Sequence, residues 1–136
     1  MGIPAEQIMI HRSPFLMFDE LVDFTESTAV THTRFDTRPY CVADGVVSEP
    51  VLAEAIAQTV AALFGSGGSP VPGMLVAIDS FTCHKPVLPE WPLEIEIALT
   101  KTLGQFCVGG GVIRHAGEIL AEGTMKFFIG EVPATV

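Results

Sequence analysis

At 136 residues the chain is short enough for one domain and long enough to bury a self-sufficient core. Hydrophobic residues make up 49% of it, charged residues 17%, and mean hydropathy is +0.46, yet no run approaches the ~20 apolar residues of a membrane span. The formal net charge is −9, with seven basic residues scattered along the chain, so nucleic acid and anionic membrane are not expected partners.

The apolar excess is better accounted for by an oligomer interface. Met1 to Ser13 carries Glu6 early and has no long apolar stretch, so no signal peptide is expected, and Glu6 stands where a myristoylation motif needs Ser or Thr. Cys41, Cys83 and Cys107 are odd in number, far apart and without a CxxC pair. Neither a zinc site nor a disulfide framework is expected, and a cytoplasmic location fits.

In chain order, Ile3 to Ile10 reads as a short helical turn. Phe15 to Phe24 reads as a strand, with Ala29 to Phe35 its hairpin partner across the polar turn Thr25-Glu26-Ser27-Thr28. Asp36 to Val47 is irregular, with Pro39 and an Asp44-Gly45 turn signal. Ser48 is the expected N-cap of a helix from Val51 to Phe64, with Glu49 and Pro50 in its first turn and Gly65-Ser66-Gly67-Gly68 as its stop.

The second half reads as strands: Met74 to Cys83, an alternating segment on Leu93, Ile95, Ile97 and Leu99, then Phe106 to Ile113. After a His115-Ala116-Gly117 turn, the last strand sets Ile119, Ala121, Gly123, Met125 and Phe127 on one face and Leu120, Glu122, Thr124 and Lys126 on the other. A single helix that is apolar on nearly every side must be wrapped by a curved antiparallel sheet, an α+β architecture. Gly109-Gly110-Gly111 inside a strand would allow the close approach this requires.

The helix carries one charge, Glu54, four residues before Gln58 and so on the same face. A carboxylate there is either a functional acid/base in a dry interior or part of a polar stripe facing solvent or a partner.

The segment Ile10-His11-Arg12-Ser13-Pro14-Phe15-Leu16-Met17-Phe18-Asp19 resembles the N-terminal signature of the bacterial 3-hydroxyacyl-[acyl carrier protein] dehydratases, and Leu52-Ala53-Glu54-Ala55-Ile56-Ala57-Gln58 resembles their central-helix motif, with Leu shifted by one position. The resemblance covers nearly the whole chain. It implies a hotdog fold, a homodimer or dimer-based oligomer, no cofactor, and reversible loss of water from a 3-hydroxyacyl thioester carried by acyl carrier protein or coenzyme A. It makes Glu54 the catalytic carboxylate. In that family a histidine of the other subunit, from a Gly-His-Phe-Pro loop, completes the site, and a backbone N–H at the helix start polarises the thioester carbonyl.

The loop histidine has no counterpart. Arg38-Pro39-Tyr40-Cys41-Val42-Ala43-Asp44-Gly45 occupies its place, with Tyr40 nearest in a gapless alignment. Dehydratases associated with aryl-polyene biosynthesis are similar in keeping the first-strand His and the helix Glu without the loop His. On that likeness His11 becomes the catalytic partner of Glu54, while Tyr40, Pro50, Val51 and Gln58 border the substrate. His11 is otherwise a structural histidine, and Tyr40 otherwise a loop aromatic.

His32 and His115 are expected in solvent, His84 in a turn, and Trp91 as a packing anchor. Cys83 and Cys107 read as core residues, while Cys41 lies in the loop before the helix. Arg12, Arg34, Arg38 and Lys85 would receive an acidic carrier only if folding gathers some of them at the site. Two other functions stay open: a hotdog thioesterase using the same carboxylate on water, and a non-catalytic dimer that binds an acyl chain or a protein.

Overall fold

The computed structural model describes residues 2–13, 15–67 and 70–130. Its centre is α1, Glu49–Gly65, in which Leu52, Ala55, Ile56, Thr59, Val60 and Ala62 are all buried. No stripe of the helix is polar enough to face water along its length, so the rest of the chain covers it.

The cover is a seven-stranded antiparallel sheet. Its strands are β1 (Ile3–Pro4), β2 (Glu20–Phe24), β3 (Thr28–Thr33), β6 (Gly73–Cys83), β7 (Leu93–Leu103), β8 (Phe106–His115) and β9 (Glu118–Ile129). They lie in the order β1-β2-β3-β7-β8-β9-β6. A separate two-stranded ribbon, β4 (Val42–Ala43) with β5 (Val46–Val47), precedes the helix. The helix packs against β2, β3, β6, β7, β8 and β9, which is the expected sheet wrapped around a helix.

Gly111 makes the wrapping close, because a Cβ there would lie 2.5 Å from Ile56 Cγ2 of the helix and 3.1 Å from Ile97 Cγ2. Polar contact adds specificity one turn further along the helix. Thr59 Oγ1 donates to the Ala55 carbonyl (2.9 Å) and lies 2.8 Å from Thr31 Oγ1 of β3, with both threonines buried.

Several elements differ from the sequence reading. The first long strand begins at Glu20, not at Phe15. Leu16, Met17 and Phe18 are buried one after another instead of alternating, and the Phe15 carbonyl and Met17 N–H bond to the Gln58 side chain in place of a neighbouring strand. The Asp44-Gly45 turn is present with both residues at positive φ (53° and 80°), and it closes the β4–β5 hairpin, which the irregular stretch conceals. The N-terminal stretch is a two-residue strand followed by a 3-10 turn, Ala5–Gln7.

Ser48 caps α1 through its backbone, its carbonyl receiving Val51 and Leu52 N–H, and its hydroxyl makes no cap bond. Ser66 rather than a glycine takes the C-cap, bonding through Oγ to the Leu63 carbonyl (2.7 Å); Gly68 lies outside the described residues. In β9 the expected alternation breaks. Ile113 pairs with Ala121 but Arg114 with Ile119, so Leu120 is an extra residue in a bulge. Leu120 is therefore 1% exposed and Ile119 38%, the reverse of the expected faces.

Strand β6 is an edge of the sheet, and Met74, Val76 and Ile78 on it are exposed. Among the described residues no helix is long and apolar enough to cross a membrane.

Candidate active site

Glu54 lies early in α1, half-buried, with its side chain at the mouth of a cleft of about 50 Å³. Ala57 and Ala61, three and seven residues on, continue the same helical face along the cleft. Gly73 and Leu75 of β6, with Phe127 and Ile129 of β9, form the opposite wall. Their inward register follows from the pairings Gly73 to Ile129 and Leu75 to Phe127. No motif marks these sheet residues.

His11 reaches the same cleft from the N-terminal segment, with Nε2 3.9 Å from Glu54 Oε2. The distance exceeds a hydrogen bond, so the two atoms face each other across a gap that a single oxygen can bridge. His11 Nδ1 is buried and has no hydrogen-bond partner among the described residues. The encounter is within one chain, whereas the loop histidine that His11 would replace comes, in the family the chain resembles, from the other subunit.

Gln58, one turn beyond Glu54, is 2% exposed. Its Nε2 donates to Glu54 Oε2 (2.9 Å) and to the Phe15 carbonyl (2.7 Å), and its Oε1 accepts from Met17 N–H (2.8 Å). Both amide hydrogens are thus committed to protein atoms, which leaves no donor for a substrate.

Tyr40 does not join the cleft. It is 55% exposed and borders a separate hollow with Glu6, Asp19 and Arg38, because the 3-10 turn Pro39–Cys41 points its ring outward. Pro50 is exposed and Val51 half-buried at the helix start, and neither lines the Glu54 cleft. Pro50 has no N–H, and Val51 donates its own to the Ser48 carbonyl (3.0 Å), so the helix start holds no free Val51 donor for a thioester carbonyl.

Arg38 is structural. Its guanidinium bonds the Leu16 carbonyl (3.1 Å) and Asp19 Oδ1 (2.8 Å) and lies over the Phe35 ring. Lys85 pairs with Glu118, and His84 with Glu122 at 2.7 Å, remote from the cleft. Of the four basic residues considered for a carrier, Arg12 alone adjoins His11, bonding the Met9 and His11 carbonyls. Trp91 stacks on His115 with centroids 4.5 Å apart, an anchor as expected. Burial pushes the Cys41 thiol up against the lowering influence of Arg38, which disfavours a thiolate nucleophile there. The role of Arg38 and Asp19 escapes a sequence reading because their partners are distant carbonyls and each other.

One helix wrapped by an antiparallel sheet, with a carboxylate and an imidazole facing across a cleft at the helix, defines a hotdog fold with a candidate acid/base pair. The family model described as ApeP-like, ApeP dehydratase, matches residues 3–135, and the chain belongs to that dehydratase family. Among curated relatives, a 3-hydroxyacyl-[acyl-carrier-protein] dehydratase FabZ of Clostridium perfringens is 30% identical over 139 residues, covering 92% of this chain and 95% of its own. The FabZ of Anaeromyxobacter sp. (strain K) is 29% identical over 131 residues, covering 88% and 84%. Among solved structures, the dehydratase heterocomplex ApeI:P from Xenorhabdus doucetiae superposes with a TM-score of 0.85 at 17% identity, covering 95% of this chain and 92% of that one. The conserved protein PA5202 from Pseudomonas aeruginosa gives 0.72 at 14% identity, covering 91% and 97%, which speaks for the fold alone.

Proposed function

We propose that the chain dehydrates 3-hydroxyacyl thioesters through Glu54 and His11 of the same subunit, in fatty-acid-like or polyene biosynthesis. The observation that carries this reading is the 3.9 Å gap between His11 Nε2 and Glu54 Oε2 at an open cleft. A departing hydroxyl oxygen in that gap comes within hydrogen-bond reach of both groups.

The chemistry needs one proton on the pair. The protonated member gives it to the C3 hydroxyl, which leaves as water, while the other takes the proton from C2, and the electron pair of that C–H bond forms the 2,3 double bond. After one turnover the proton has changed sides. Both side chains are partly exposed (32% and 40%), which lets solvent restore it.

A cleft of about 50 Å³ admits little more than a water or two, far short of an acyl thioester. The exposed apolar side chains of edge strand β6 lie beside Gly73 and Leu75 of the cleft wall, so a second hotdog subunit docking there would extend the cleft into an acyl tunnel. We take that subunit to be a second copy. A non-identical hotdog subunit is the alternative, motivated by the heterocomplex in which the ApeI:P structure was determined. The relatives named for acyl-carrier-protein substrates suggest the same carrier here. Three free cysteines suit a reducing cytoplasm.

The test is turnover of 3-hydroxyacyl and enoyl thioesters on coenzyme A and on carrier protein, following enoyl absorbance and free thiol together. Interconversion without thiol release is expected, with loss of about 100-fold or more in Glu54→Gln. Thiol release would make the protein a thioesterase, and binding without turnover on either carrier, alone or with a partner hotdog subunit, would make it a binding module.

A further inference from the structure

Gln58 holds more of the site together than its place on the helix suggests. Met17 N–H is only a donor and the Phe15 carbonyl only an acceptor, so the amide has one permissible orientation: Oε1 towards Met17 (2.8 Å), Nε2 towards Phe15 (2.7 Å). The second hydrogen of Nε2 then falls on Glu54 Oε2 at 2.9 Å. A flipped amide would leave two acceptors facing Oε1 and two donors facing each other, all at a residue 2% exposed.

Residues 15–19 therefore run past the helix as a strap and not as a strand. Gln58 grips the strap at Phe15 and Met17, and Arg38 grips it at Leu16 and Asp19. His11 lies just upstream, across the turn closed by Phe15 N–H on the Arg12 carbonyl (2.8 Å). The same amide that fixes the carboxylate thus also anchors the segment that brings the imidazole to it.

We propose that Gln58 is a positioning residue that sets Glu54 and the His11-bearing strap in register from within one chain, and does not bind substrate. This rests on the dehydratase reading for its kinetic consequence but not for its geometry. The oxygen of Glu54 that receives the amide, Oε2, is the one that faces His11 Nε2, so the amide holds it at the gap. Removing the amide frees the carboxylate to rotate and the strap to drift, and each movement changes the His11–Glu54 gap.

Two variants separate this from simple core packing. Gln58→Glu keeps the length, the shape and an acceptor for Met17 N–H but replaces the donor facing Glu54 and Phe15, whereas Gln58→Met removes all three bonds. Both are expected to lower kcat about 10- to 100-fold, the rate equivalent of one hydrogen bond to a charged group, with KM within about twofold. Should Gln58→Met fail to fold, Gln58→Glu carries the test. Full kcat in Gln58→Glu, or a loss confined to KM, overturns the proposal.

An activity-free readout keeps the two readings apart. In the ¹⁵N–¹H spectrum of wild type both hydrogens of the Gln58 side chain should be protected from solvent exchange, and one should lose protection in Glu54→Ala. Unprotected hydrogens in an active wild type overturn the positioning role alone. Protected hydrogens in a protein without dehydratase turnover uphold it and overturn the function.

Discussion

The imidazole of His11 makes no hydrogen bond that the fold depends on: Nε2 stands 3.9 Å from Glu54, and Nδ1 is without a partner among the described residues. Replacing it should therefore separate activity from stability. His11→Ala is expected to lower kcat/KM about 10²- to 10⁴-fold, the range of a lost general acid or base, while the melting temperature moves little. Parallel loss of both in activity assays and thermal melts would return His11 to a structural role. The thiols give a second residue-scale expectation. Burial raises Cys41 and Cys107, and raises Cys83 with help from Glu49, above the ordinary 9.0. A folded-state value above the unfolded one leaves stability intact below about pH 9 and erodes it as the unfolded thiols ionise first. Denaturation midpoints should accordingly fall on the alkaline side, and less so in Cys41→Ser with Cys107→Ser. That Glu54 and His11 line one cleft accords with the sequence reading, which singled out both because each sits in a motif of contiguous residues. A gapless alignment places Tyr40 at the missing histidine, whereas the 3-10 turn at Pro39–Cys41 sets it outside the Glu54 cleft of its own chain.

At the scale of elements, the packing of α1 against β8 depends on the absent side chain at Gly111. Gly111→Val would press against Ile56 Cγ2, where even a Cβ lies at 2.5 Å, and should cost about 1–3 kcal/mol of overpacking, read as a shift in urea midpoint. A smaller change would mean that the helix can withdraw from the sheet. The strands were readable from periodicity because burial imposes it, as in the alternation of Leu93, Ile95 and Ile97 in β7, and the helix, apolar nearly all round, from Ser48, Glu49 and Pro50 at its start and the glycine-rich stop after it. The strap at residues 15–19 and the Leu120 bulge were not. Both are places where a long-range bond overrides the local period: the Gln58 amide captures the strap, and the Leu120 carbonyl accepts His84 N–H (2.7 Å) and Lys85 N–H (3.3 Å) from the end of β6.

For the whole molecule, the exposed row Met74, Val76 and Ile78 on edge strand β6 is an apolar surface in need of cover. Val76→Lys with Ile78→Lys should convert the assembly to monomers in sedimentation and abolish turnover, because the tunnel would lose its second wall. An unchanged sedimentation coefficient would place the interface elsewhere. The central claim concerns which chain supplies the histidine, and mixed assemblies decide it. Glu54→Gln and His11→Ala subunits, each inactive alone, would be unfolded together, refolded and assayed for 3-hydroxyacyl thioester dehydration. With Glu54 and His11 paired within one chain, every site in the mixture carries one defect, and activity should stay at the level of the separate variants. Recovery towards about a quarter of wild-type turnover, as random pairing of subunits would give if each site drew one residue from each chain, would contradict the account.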